Sequence, residues 1–429
     1  MNHRRRFFRT VFGFGAGAAA LAQAAKGQHA HSGPANSGAP IPVVTPDIED
    51  LPFTMENGVK VFHLIAEPVK QTVIPGRVFD LWGFNGSAPG PTIQASEGDR
   101  VRIVFENHLP EPTGIHWHGL ELPNEMDGVP GIGQKPVMPG ERFVYEFPLQ
   151  QNGTFFYHPH MAMQEMVGML GGFIIHPKTG YSPRVDKDYL IALQEYAVLP
   201  NSTIPNSMNM EFNWLTFNGK AGPAATPLII RHGERVRVRI INLGMDHHPI
   251  HLHGNQFVIT GTEGGRAPES TWYPTNTVLV GVAQAKVVEF EAKYPGAWMI
   301  HCHLPHHMMN SMMDLLRDRQ IQTADTTDPK ALSQMQTLAR AIGVEHVHHS
   351  PIAENANGVP GFPQDAFMEM GMDEAVAKPE TYGLPPNWSA GMMGMMTMVR
   401  VLPEKEFEEI QARIREKKPM PQTEHVHPS

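Results

Sequence analysis

Apolar side chains recur at every second position in short stretches of this chain: Val101, Ile103 and Phe105; Phe143, Tyr145 and Phe147; Val236, Val238 and Ile240; Val288 and Phe290. Clusters of Gly, Pro and Asn separate the stretches. A period of two turns one face of a strand toward a core, and closely spaced turns send the chain back antiparallel. The pattern predicts an all-β fold of antiparallel Greek-key β-sandwiches.

The pattern is also duplicated. The stretch "GDRVRIVFEN" (98–107) recurs as "GERVRVRIIN" (233–242), and the same offset lays His116 and His118 of "HWHG" on His251 and His253 of "HLHG". Further on, "GTFFYHPHM" (153–161) matches "GAWMIHCHL" (296–304). Two copies of one domain are expected, at 52–178 and 179–325. Beyond 325 the composition shifts to a mixed C-terminal extension, 326–429, with short helices predicted over 329–342 and 403–417 and Pro-, Gly- and Met-rich chain between them.

The first 25 residues run from Arg4, Arg5, Arg6 and Arg9 through an apolar stretch to Ala-x-Ala sites, resembling a twin-arginine export signal. Cleavage near Ala25 leaves a Gly-, Pro-, Ser- and His-rich leader, 26–51, expected to be mobile, and no membrane span in the mature chain. The location implied is the periplasm or the cell exterior. Net charge is -9, with 43 acidic against 34 basic residues, and losing four arginines makes it more negative. Nucleic acid is excluded as a partner. A single cysteine builds no internal disulfide framework even in an oxidising compartment, so Cys302 is either an inert core thiol or a ligand.

Four His-x-His pairs occur: His116 and His118, His158 and His160, His251 and His253, His301 and His303. On a strand the two histidines of a pair project to one face and can grip a metal together. If His301 and His303 face one way, Cys302 faces the other and can serve a second site. Its candidate co-ligands are His248, His307 and a weak axial thioether from Met312. Two histidines, a thiolate and a distant methionine are the ligand set of a blue copper centre. The domain 1 positions equivalent to His248, Cys302 and His307 are Thr113, Pro159 and Gln164, with Met169 matching Met312, so only domain 2 is expected to hold that centre.

The motifs "HWHG", "HPH", "HPIHLHG" and "HCHLPHHMMNSM" resemble the signatures of the multicopper oxidases, the laccase-like family, in family order over about 52–325. The resemblance implies cupredoxin-type domains and four coppers per chain: a type 1 ion on His248, Cys302, His307 and Met312; a type 2 ion on His116 and His251; and a type 3 pair on His118, His158, His160, His253, His301 and His303. It implies one-electron oxidation of a donor coupled to four-electron reduction of O2 to water, with Cys302 conducting the electrons. Two-domain members imply a homotrimer with clusters between subunits. Asp127 of "MDGVPG" stands where several relatives carry an acid that assists protonation, although Asp-Gly also suits a plain turn. The 26 methionines suit a Cu(I) donor as soft ligands, or fill irregular cores; phenolic and aromatic compounds are the rival donors. A copper nitrite reductase needs only three histidines at its second copper, and a non-enzymatic periplasmic copper store needs no Cys302 between paired histidines.

Overall fold

The computed structural model describes residues 40–161, 163–199, 202–210, 212–308, 321–322, 347–348 and 372–417. The export signal, the helix expected over 329–342 and Met312 lie outside the described residues.

Domain 1 holds β1 (Phe53–Glu56), β2 (Val59–Ile74), β3 (Arg77–Phe84), β4 (Gly90–Ser96), β5 (Arg100–Asn107), β6 (Ile115–His118), β7 (Arg142–Pro148), β8 (Gly153–Pro159) and β9 (Gly171–His176). One sheet runs β1-β2-β5-β7 with β3 on β2; the other runs β4-β9-β8-β6. Register sets Val101 opposite Phe147 and Ile103 opposite Tyr145, so the alternating residues of β5 and β7 line one inner face. Against them pack Trp117, Phe155, Tyr157 and Phe173 of the facing sheet. Because Trp117 takes the inner face, its neighbours His116 and His118 must take the other. The Ile115 N–H donates to the Tyr145 hydroxyl at 3.0 Å and pins β6 at its start.

Domain 2 repeats the plan with β10 (Lys187–Tyr196), β11 (Trp214–Phe217), β12 (Leu228–Arg231), β13 (Arg235–Asn242), β14 (His248–Leu252), β15 (Phe257–Thr262), β16 (Gly265–Arg266), β17 (Pro274–Thr275), β18 (Thr277–Val280), β19 (Gln284–Glu291) and β20 (Gly296–Cys302). After the two-residue strands β21 (Ile321–Gln322) and β22 (Val347–His348) comes β23 (Met396–Leu402). The sheets run β11-β10-β13-β19-β15-β16, with β17 on β15, and β12-β23-β20-β14-β18. Both domains are cupredoxin-type Greek-key sandwiches, and the fold is almost all β.

Two expectations change. Domain 2 does not close at 325: β23 lies parallel to β12 and antiparallel to β20, the place that β9 holds between β4 and β8. All seven of its residues are buried, which an isolated reading of a Met-rich tail does not reveal. The helix expected over 403–417 is present as Glu404–Lys417, and it lays Phe407 and Ile410 on Ile229 and Leu402. The leader is also anchored over its described part, 40–51. Val43 is buried between the domains, the Val44 N–H donates to Asp188 O at 2.9 Å, and Asp47 accepts from Lys378 Nζ at 2.6 Å. One buried valine and a row of backbone hydrogen bonds outweigh the flexible composition around them.

A buried ionic network fixes the seam. Asp188 accepts from Arg237 and Arg239, Glu289 accepts from Arg235, Arg237 and Arg266, and Arg239 Nη1 reaches across to Thr154 Oγ1 of domain 1 at 2.7 Å. Burial alone would raise the Glu289 carboxyl, but Arg237 and Arg266 overturn that and hold it at about 2. Among the described residues no helix is long and apolar enough to cross a membrane. Glu289→Gln leaves guanidinium groups buried without their counter-charge, so we expect a loss of about 3 kcal/mol in urea unfolding; a change below about 1 kcal/mol would contradict this role for the network.

Candidate metal centre

β14 and β20 are neighbours, with Ile250 opposite Cys302 and His251 opposite His301. Alternation then sends Cys302, fully buried, into the sandwich and His301 out of it. A 3-10 turn at Pro305–Met308 returns His307 to the same pocket as His248. Cys302 Sγ lies 3.7 Å from His248 Nδ1 and 3.4 Å from His307 Nδ1, and the two Nδ1 atoms are 3.1 Å apart. Three donor atoms converge from two strands and a turn.

The far ring nitrogens show which atoms are free. His248 Nε2 lies 3.1 Å from the buried carboxylate of Glu195, whose other oxygen accepts the Met245 and Asp246 N–H groups. His307 Nε2 stands 3.3 Å from Asp246 Oδ2, without a well-aligned hydrogen bond. Protons held on Nε2 leave both Nδ1 lone pairs facing the sulfur. Desolvation, with His248 and His306 nearby, pushes His307 down to about 3, so its ring is neutral at physiological pH. Burial pushes the Cys302 thiol up to about 12. A buried thiol beside two imidazole Nδ1 atoms fits a soft, thiolate-seeking cation, which must displace the thiol proton to bind. In domain 1 the equivalent space is closed: Thr113 Oγ1 donates to Gln164 Oε1 at 2.8 Å, and Pro159 takes the cysteine position.

The eight remaining histidines form two groups of four. In domain 1, His118 Nδ1 lies 3.3 Å from His158 Nε2, and His116 stands within ring contact of His118, His158 and His160. In domain 2, His253 Nε2 lies 3.1 Å from His301 Nε2, and His303 touches His251 and His301. Backbone oxygens orient four of these eight rings: His116 Nδ1 faces Asp127 O, His158 Nδ1 faces Pro159 O, His251 Nδ1 faces Asn276 O and His301 Nδ1 faces Cys302 O, leaving each Nε2 available. Desolvation, with His158 and His116 adding repulsion, lowers His118 to about 4, so protons do not compete for it near neutrality. Every His–His contact among these eight stays within its own group. The domain 2 group opens on a cleft of about 760 Å³ lined by His251, His253, Asn255 and Tyr294.

Asp127 Oδ1 lies 3.3 Å from His116 Nδ1. The following residue permits this approach, because a Cβ on Gly128, at φ +85°, would stand 1.7 Å from Ile115 O. Three carboxylates escaped the sequence reading. Glu165 Oε2 lies 2.9 Å from His158 Nδ1, and Glu195 and Asp246 flank the thiolate pocket. Asp246, two residues before His248, and Glu165, five after His160, could have been suspected from proximity; Glu195 could not, since only the β10 pairing brings it there.

Two β-sandwiches carrying one cysteine–histidine pocket and two histidine quartets define a copper protein of cupredoxin architecture. The chain belongs to the multicopper oxidase family, which implies copper: family models described as multicopper oxidase match residues 68–180 and 198–320. Among solved structures it is 30% identical to the multicopper oxidase mgLAC, with a TM-score of 0.54, covering 58% of this chain and 81% of that one. It is 32% identical to a blue copper oxidase from Nitrosomonas europaea, with a TM-score of 0.54, covering 59% and 81%. Copper resistance protein A of Pseudomonas syringae pv. tomato is 35% identical over 145 residues, 34% of this chain and 24% of that protein. The chain thus spans about a quarter of the length of that relative.

Loading the Cys302 pocket releases one proton while His307 is already neutral, so apparent copper affinity should rise about tenfold per pH unit between pH 6 and 8. Chelator competition at those pH values checks this. A flat profile would mean that the thiol is ionised before the metal arrives.

Proposed function

We propose that this chain is an oxidase that takes electrons singly from a donor at the Cys302 pocket and passes them to O2 bound among the eight histidines. The observation that carries the reading is the pair of donor sets back to back on one strand: Cys302 inside, His301 outside, joined by a single peptide unit. Copper would supply single-electron exchange on the thiolate side and four-electron reduction of O2 to water on the histidine side. His248, Cys302 and His307 would hold the type 1 ion, His116 and His251 the type 2 ion, and His118, His158, His160, His253, His301 and His303 the type 3 pair, giving four ions per chain.

This chain's own groups do the rest. Cys302 and its peptide links to His301 and His303 form the covalent electron path. Asp127, partly exposed beside His116, hands protons inward from solvent, and Glu165 holds the proton of His158 Nδ1. A nitrite reductase would leave much of the eight-histidine array unused.

Each histidine quartet is half of a site, and the two quartets of one chain make no contact. We therefore place the complete cluster between chains, domain 1 of one against domain 2 of the next, closing as a homotrimer. An exposed aromatic side chain beside the domain 2 half, Tyr294 at 59%, suits a surface that becomes covered. The donor best supported is Cu(I): Met299, Met308, Met392, Met396 and Met398 pack together beside His307 and His301 as a thioether cluster. Export through the amino-terminal signal to the periplasm or exterior suits such a substrate.

Cys302→Ser should abolish the intense thiolate-to-copper absorption and O2 consumption while the histidine-bound copper stays; retained colour and turnover would refute the path. Co-expressing a His118→Ala chain with a His253→Ala chain should restore activity that neither has alone, because mixed contacts contain intact clusters. Failure of that rescue places the cluster within one chain. Replacing Met392, Met396 and Met398 by Leu should slow Cu(I) oxidation and spare a phenol; equal loss on both removes the case for Cu(I).

A further inference from the structure

The thiolate pocket needs a fourth donor, and strand register indicates where it comes from. In domain 1, Ile93 and Phe155 both pair with Phe173; in domain 2 their repeat equivalents, Leu228 and Trp298, both pair with Val399. This register carries Phe173 onto Val399, and it lays "VGMLGGFIIHP" (167–177) on "MGMMTMVRVLP" (393–403) without a gap. Gly168 falls on Gly394, both at positive φ, and Met169 falls on Met395, both fully buried.

Alternation decides the direction of the side chain. Met396 sits opposite His301 and so shares its outward face, which turns Met395 to the inward face with Cys302. Met395 belongs to the same buried cluster as Cys302. Its backbone is held at both ends by the pocket: the Cys302 N–H donates to Met395 O at 3.0 Å, and the Met395 N–H donates to His307 O at 2.9 Å.

We propose that Met395, rather than Met312, is the axial thioether donor of the Cys302 pocket. The assignment rests on reading that pocket as a copper centre. It means that the centre is assembled from two separate stretches of chain, with His248, Cys302 and His307 on one side of the interval 309–371 and the weak axial ligand on the other, immediately before β23. A long axial thioether tunes the potential of a two-histidine thiolate copper more than it contributes to affinity.

The test compares copper-loaded Met395→Leu, Met395→Gln and Met312→Leu with the parent protein by visible absorption, electron paramagnetic resonance and redox titration. Met395→Leu should raise the midpoint potential and leave a coloured centre. Met395→Gln, which offers an oxygen in the axial position, should lower the potential and change the copper hyperfine pattern. A merely structural methionine would not move the potential in opposite directions for these two variants. Met312→Leu should leave all three readouts unchanged. Spectral and potential shifts confined to Met312→Leu, or absent from both Met395 variants, overturn the assignment while the copper-centre reading stands; a parent protein without a thiolate-to-copper band overturns both.

Discussion

Successive side chains of an extended strand cannot face the same way, and the chemistry of this protein is arranged around that constraint at His301, Cys302 and His303. At its end, one face of β20 belongs to the sealed interior of domain 2 and the other turns His301 toward His251, His253 and His303. A sulfur and an imidazole on consecutive residues are therefore in different surroundings although they are covalent neighbours. The core excludes water from the sulfur, and the outer face leaves the imidazoles open to a further set of ligands. The same rule, with Trp117 inward and His116 and His118 outward, orders β6.

Much of this was legible in the sequence because strand periodicity and internal duplication are local signals. Val101, Ile103 and Phe105 sit in the core as their spacing predicts, and His248, Cys302 and His307 converge as their motifs predict. The duplication also identified the silent copy, where a threonine–glutamine hydrogen bond occupies the equivalent of the pocket. What stayed hidden depends on long-range pairing. Glu195 reaches His248 because β10 lies beside β13, and β23 completes a sheet begun far upstream. The repeat search paired Met169 with a methionine close to His307 by sequence distance, whereas ladder register pairs it with Met395.

Carboxylates surround both centres, and each is placed by backbone rather than by chance encounter. Glu195 accepts from consecutive backbone N–H groups, and Asp127 is drawn against His116 by a glycine that no side chain could replace. Such groups orient the rings before a metal arrives, which lowers the reorganisation that binding would otherwise require. The buried Asp188 and Glu289 network does the same for the two sandwiches. It ties β13 to β8 through the Arg239–Thr154 hydrogen bond, so the two sandwiches are held in a fixed relation.

The position of β23 has a consequence for chain integrity. A strand that arrives after a long detour and slots between β12 and β20 behaves like a donated strand, held by its ladder and its buried methionines and valines. Cutting the polypeptide within 309–371 would leave two fragments still clasped together, and a peptide spanning 372–417 would be the natural complement to a chain ending after His307. During synthesis the second sandwich cannot close when β20 emerges, because its sheet must wait for β23 to follow.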